Sequence, residues 1–131
     1  SDDRGIPQKG DAESMIVEEE KKEEKVEPYS YKLMDFSDEN LAKSHETGRT
    51  VLFFNATWCS TCKSAMRDIK RNHADLPDDV TILGLDYDTE KELKQKYGVF
   101  TQHTFVQIDE SGNEITKWVG GGVSTINTNI K

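Results

Sequence analysis

The sequence predicts an α/β domain, a central mixed β-sheet flanked by helices, with a disordered acidic N-terminal tail before it. Three stretches carry the prediction. Thr50-Val51-Leu52-Phe53-Phe54 is an apolar, β-prone run that passes through Asn55-Ala56-Thr57 into Trp58-Cys59-Ser60-Thr61-Cys62-Lys63. Ser64 to His73 then has few helix breakers and places Met66 and Ile69 three apart, the spacing of one helix face. Val80-Thr81-Ile82-Leu83-Gly84-Leu85 reads as a second buried strand, parallel to the first if the helix between them is a crossover.

Taken in order, residues 1–28 hold ten acidic and five basic residues and no aromatic, a formal charge of −5. The run Glu18-Glu19-Glu20-Lys21-Lys22-Glu23-Glu24-Lys25 has helical propensity but no apolar stripe to bury, so 1–28 is read as a solvated, disordered tail. A flexible segment of that length would span roughly 30 Å root-mean-square. The domain is placed at 29–131, where Tyr29 to Phe36 alternates as a first strand. Ser37 is the expected N-cap of a helix with Asp38 and Glu39 in its first turn, and Gly48 is the expected stop. Val51–Phe54 is the central strand, and Pro77-Asp78-Asp79 makes a turn ahead of Val80–Leu85. Thr89 is expected to cap a short helix through Lys96, closed by Gly98. Thr104 to Ile108 and Glu114 to Val119 form a hairpin around Gly112. Val123 to Lys131 is expected as a short or frayed helix, because Thr125, Asn127, Thr128 and Asn129 are poor helix formers.

Composition narrows the class. With 131 residues the chain holds one ordinary domain. Its net charge of −8 argues against a nucleic-acid binder, which would show a basic face. No apolar run approaches the roughly 20 residues of a membrane span. The only two cysteines are Cys59 and Cys62. Their closeness rules out a framework of stapling disulfides and leaves the redox compartment open.

Both sulfurs fall where a buried strand gives way to a helix. The helix N-terminus favours the thiolate at the first of them, which points to thiol–disulfide exchange. The plain alternatives are a structural pair or half of a zinc site. No second Cys-x-x-Cys or His-x-x-x-His is present to complete such a site.

Trp58-Cys59-Ser60-Thr61-Cys62-Lys63 after an apolar strand, then Lys96-Tyr97-Gly98-Val99, Gly112 and Gly120-Gly121, resemble the thioredoxin superfamily over about Tyr29 to the end. The element order βαβαβαββα resembles that of a thioredoxin domain with its extra N-terminal strand and helix. The resemblance implies an exposed Cys59 as nucleophile and Cys62, one turn inward, as the resolving thiol. Trp58 would shield the site and contact substrate, and backbone groups around Gln102 would pair with an extended substrate strand. No bound cofactor is implied, since the reducing equivalents sit on the protein's own sulfurs.

The chain departs from the family in four places. Ser60-Thr61 replaces the Gly-Pro of reducing thioredoxins, which alters the redox poise in a direction two hydroxyls do not reveal. Phe53 stands where the family keeps a buried Asp that assists proton transfer to the second cysteine, and the Lys partner of that Asp aligns near Gly84. Asp86 and Asp88 lie close by and read first as strand-end and helix-cap residues. The largest departure is His103, at the position of the family's cis-proline, between Gln102 and Thr104. A non-proline cis bond costs roughly 3–4 kcal/mol. That loop is therefore either trans and rearranged or cis and held by the fold, with trans favoured. As imidazolium, His103 would stabilise the Cys59 thiolate; as a neutral base it would serve Cys62. As a third ligand with Cys59 and Cys62 it would hold Zn or Cu(I). Facing solvent, it would do none of these. His45 and His73 are read as surface residues.

The sequence thus points to a thiol–disulfide oxidoreductase acting on protein disulfides or dithiols through Cys59 and Cys62. It leans towards reduction and requires an upstream redox partner. Metal binding and a disulfide oxidase or isomerase are the alternatives. A monomer is expected, with 1–28 as a possible membrane tether. Tails of this kind on exported, lipid-anchored relatives favour a bacterial, extracytoplasmic setting.

Overall fold

Continuous apolar runs such as Val51–Phe54 need cover on both faces, and the computed structural model of the protein, which describes residues 32–131, provides it. The expected tail at 1–28 and the start of the expected first strand lie outside the described residues. Five strands and four helices follow in the expected order: β1 (Leu33–Asp35), α1 (Asp38–Thr47), β2 (Arg49–Asn55), α2 (Ser60–Asn72), β3 (Val80–Asp86), α3 (Lys91–Tyr97), β4 (Thr104–Ile108), β5 (Glu114–Val119) and α4 (Val123–Asn129), with a 3₁₀ turn at His73–Asp75 after α2. The sheet runs β1-β3-β2-β4-β5. β3 is parallel to both β1 and β2, as a crossover through α2 requires. β4 is antiparallel to β2 and to β5, with an irregularity at Gln107/Ile108.

Alternation along β2 divides the interior. Val51 and Phe53 pack with Val80, Ile82 and Phe105 against Cys62, Ala65 and Ile69 of α2 and Val123 and Ile126 of α4. Leu52 and Phe54 face the other way, with Leu83, Leu85, Val106 and Tyr97, and with Leu41 and Leu93 packed against them. The face that contains Phe53 therefore also contains both sulfurs.

Local chemistry sets most of the ends. Ser37 Oγ accepts from Asn40 N at 3.0 Å, and Gly48 closes α1 by donating to Ser44 O at 2.9 Å. Gly98 ends α3 in the left-handed region, φ 63°. Thr89 is not the cap of α3. The backbone N–H groups of Thr89 and Glu90 both turn back to Asp86 O, so the helix starts at Lys91 without a side-chain cap. The hairpin is held by Asp109, whose carboxylate accepts from Ser111 N and Asn113 N, each at 2.9 Å. The Asn113 N–H, ahead of the other backbone donors, holds that carboxyl below the usual range.

α4 is short, as its composition predicts, and its stability comes from outside itself. Asp68 of α2 accepts from Val123 N at 2.9 Å, a cap donated by another helix. Val123 and Ile126 are buried, each contributing about 1.5–3 kcal/mol. That outweighs propensity penalties of about 0.5 kcal/mol per residue.

Arg49 at the start of β2 grips Asp79 with two hydrogen bonds of 2.9 and 2.8 Å. The bonds hold the Asp79 carboxyl below its ordinary value. A carboxyl depressed on folding stabilises the fold above its unfolded pKa and loses that contribution as pH falls through the folded value. The pair is partly solvent-exposed, so Asp79→Asn is expected to lower stability at pH 7 by less than about 1 kcal/mol. Urea unfolding at pH 7 and near pH 3 should show the gap to the parent closing at the lower pH. A gap that persists would assign the loss to something other than the ion pair.

Candidate active site

The end of β2 and the start of α2 build the site. Cys59 is the N-cap of α2, with an extended backbone, and its sulfur accepts from Cys62 N at 3.2 Å. A sulfur so placed meets the positive end of a 13-residue helix, the setting that favours a thiolate over a thiol. Cys59 and Cys62 are joined as a disulfide with Cα atoms 5.2 Å apart, inside the range such a bond spans. Cys62, one turn inward, is fully buried. Cys59 is not the exposed residue that the resemblance implies, being only 5% accessible. The Thr61 hydroxyl lies 3.3 Å from its sulfur.

Trp58 remains on the surface, 59% exposed. Its indole N–H donates to Asp88 at 2.8 Å, so Asp88 holds the indole that flanks the cysteines and does not cap α3. Asp86 serves the same turn by accepting from Asp88 N at 2.9 Å.

His103 faces the sulfurs. It is 7% exposed, and its φ is +65°. Proline is locked near −65°, so this backbone could not exist with the family's residue in place, and the loop is rearranged. Its N–H donates to Phe54 O at 2.7 Å, and its carbonyl accepts from Gly120 N at 2.8 Å. On the ring, Nε2 lies 2.8 Å from the Gly121 carbonyl oxygen. A carbonyl only accepts, so Nε2 carries a proton. Nδ1 lies 3.1 Å from Thr61 Oγ1. The Gly121 carbonyl is aimed by a backbone at φ +85°, where a Cβ would overlap the Thr125 side chain. Gln102 sits next to His103, half-buried, its side-chain oxygen accepting from Thr101 Oγ1 at 3.0 Å.

Phe53 forms an apolar floor where the family has a carboxylate. Its ring stacks on Phe105 at 4.3 Å and lies 5.6 Å from the His103 ring. Gly84 is its register partner on β3, so the charged pair is replaced as a unit by an aromatic ring and a glycine. His45 and His73, both half-buried, belong to other parts of the domain; His45 Nδ1 lies 3.4 Å from Thr50 Oγ1.

The ligand-type atoms of Cys59, Cys62 and His103 lie within 4.8 Å of one another. Both ring nitrogens are engaged by hydrogen bonds, and the sulfurs are bonded to each other. Metal binding has no support beyond that proximity. Two participants, Thr61 and Asp88, were not legible as such in the sequence. Thr61 is one hydroxyl among several in its stretch, and Asp88 meets Trp58 across thirty residues of chain.

The model of the thioredoxin family matches residues 31–131. A thioredoxin of Chlamydia trachomatis is 33% identical over 84 residues, covering 64% of this chain and 80% of that protein. A rice thioredoxin of the H type is 32% identical over 87 residues, covering 66% and 70%. Among solved structures, the thioredoxin of Schistosoma mansoni superposes with a TM-score of 0.58 at 26% identity, covering 75% of this chain and 92% of its own. That of Trypanosoma brucei brucei gives 0.58 at 25%, covering 76% and 88%. A disulfide capping a helix beside a parallel strand, matched over the whole described domain, places the chain in the thioredoxin family of protein-disulfide oxidoreductases.

Proposed function

We propose that the domain works chiefly as a reductase of protein disulfides. The Cys59 thiolate attacks a substrate disulfide, forming a Cys59–substrate disulfide and releasing one substrate thiolate. The Cys62 thiolate then attacks the Cys59 sulfur, closing the intramolecular disulfide and releasing the second substrate thiolate. Two electrons pass to the substrate, and an upstream redox partner returns the pair to the reduced state. The observation that carries the exchange chemistry is the placement of Cys59 Sγ at the N-terminus of α2, accepting the Cys62 N–H; the lean towards reduction rests on the similarity to thioredoxins. Trp58, pinned by Asp88, and the backbone around Gln102 supply the docking surface for an extended substrate segment.

We further place the protein outside the cytoplasm of a bacterium, as a monomer, with 1–28 tethering it to a membrane. The support for the tether is compositional, a −5 charge and no aromatic over 28 residues ahead of the domain. That for export is the likeness of this stretch to the tails of exported, lipid-anchored members of the superfamily. No helix among the described residues is long and apolar enough to cross a membrane.

Direction of transfer is the test. The reduced protein should reduce insulin disulfides faster than the oxidised protein forms disulfides in reduced ribonuclease, under matched conditions. The opposite ranking would make it a disulfide donor.

A further inference from the structure

We propose that Thr61 is a positioning residue that relays a proton between Cys59 and His103, so that the reduced site holds a thiolate–imidazolium pair bridged by the Thr61 hydroxyl. The inference rests on the exchange chemistry of Cys59 proposed above, and it is independent of the direction of transfer.

The geometry is a chain of three contacts. Cys59 Sγ lies 3.3 Å from Thr61 Oγ1, Thr61 Oγ1 lies 3.1 Å from His103 Nδ1, and His103 Nε2 lies 2.8 Å from the Gly121 oxygen. A threonine hydroxyl has one proton to give and lone pairs to receive another. With Nε2 protonated towards Gly121, the neutral ring offers Nδ1 as acceptor, and Thr61 gives its proton there. The Thr61 oxygen then turns its lone pairs to the sulfur and accepts the S–H of a reduced Cys59.

Both hydrogen bonds point the same way, from sulfur to ring. A concerted shift breaks the S–H bond as a new O–H forms on Thr61, and breaks the original Thr61 O–H as N–H forms at Nδ1. No proton leaves the site and Thr61 ends unchanged. The thiolate then accepts from Thr61 and from Cys62 N, and the imidazolium donates to Thr61 and to Gly121 O. Every hydrogen-bonding position is satisfied in both states, which a buried network requires.

The His103 ring is largely buried, among few other titratable groups. From β2 and β4 the ring meets Phe53 and Phe105. The glycine loop brings Gly121 and Gly122 to the cavity beside the ring. From α2 the titratable groups are Cys59, Cys62 and Asp68. Asp68 is occupied by Val123 N at 2.9 Å and Asn72 Nδ2 at 2.6 Å. The relay thus gives Cys59 a base that approaches from the opposite loop and acts through a hydroxyl, whereas the missing family carboxylate serves the second cysteine.

The test reads the thiolate directly. In the full chain carrying Cys62→Ala, absorbance near 240 nm against pH reports Cys59 alone, and iodoacetamide alkylation reports its reactivity. Thr61→Val is expected to lower the thiolate-to-thiol ratio near pH 7 about tenfold, and Thr61→Ser to retain it. In the two-cysteine protein the same tenfold loss moves the disulfide midpoint more negative by up to about 30 mV. His103→Asn should match Thr61→Val, and the double variant should fall no further than either single one, because the two act as one unit. A parental profile in Thr61→Val would overturn the proposal. So would a double variant whose loss is the product of the two single losses. Should Thr61→Val fail to fold, Thr61→Ala gives the same comparison.

Discussion

Cys62→Ser is expected to convert the protein from a turnover catalyst into a trap, with activity falling at least about a thousandfold. The figure follows from the intramolecular advantage of the resolving thiol. Cys62 attacks Cys59 from within the same turn, and well-oriented intramolecular reactions reach effective molarities of about 10⁵ M or more. Millimolar external thiol replaces only a small part of that. Cys59 would still attack, so a substrate held by a disulfide to Cys59 should accumulate and be released by reductant, visible by non-reducing mass spectrometry. Cys59→Ser should lose activity equally and form no adduct. Because Cys62 is fully buried, the circular dichroism of both variants must match the parent before the comparison counts. More than a tenth of parental turnover in either variant would remove these sulfurs from the chemistry.

His103→Pro, the change that restores the family's usual residue, is expected to destabilise the domain by about 3 kcal/mol or more. Proline cannot take φ +65°, and removing the backbone N–H leaves the buried Phe54 carbonyl without its 2.7 Å donor. Forced backbone accounts for about 1–3 kcal/mol and an unsatisfied buried acceptor for a similar amount. His103→Asn, which tolerates the left-handed region and keeps the N–H, should cost distinctly less. Urea unfolding of the three proteins separates the cases. Equal stability of parent and proline variant would mean that the loop accepts the family geometry and that His103 does not define it.

The sequence made the scaffold legible because its signals are local. Ser37 and Gly48 bracket α1 by capping chemistry, Gly98 stops α3, and the hairpin 104–119 is marked by β-prone runs around Gly112. Where a helix start depends on backbone N–H groups turning back to a carbonyl, as those of Thr89 and Glu90 do to Asp86, side-chain preference misplaces the cap. The cysteines announce themselves by spacing and by the strand before them. His103 could be placed opposite them by counting, but its rotamer, tautomer and positive φ depend on Gly120 and Gly121, which arrive from the far end of β5. Thr61 and Asp88 depend on tertiary contacts of the same kind. Phe53 was visible as a missing carboxylate, but its role as a stacked floor needed Phe105 from a neighbouring strand.

The central claim is that Cys59 and Cys62 interconvert as one two-electron couple. Equilibrating the metal-free protein in graded thiol–disulfide buffers, and counting free thiols at each poise, tests it most directly. The expected result is a single reversible two-electron transition with a midpoint on the reducing side of about −200 mV, towards the thioredoxin value of about −270 mV. A midpoint near about −120 mV would reverse the proposed direction. The absence of any reversible two-electron transition would contradict the claim itself.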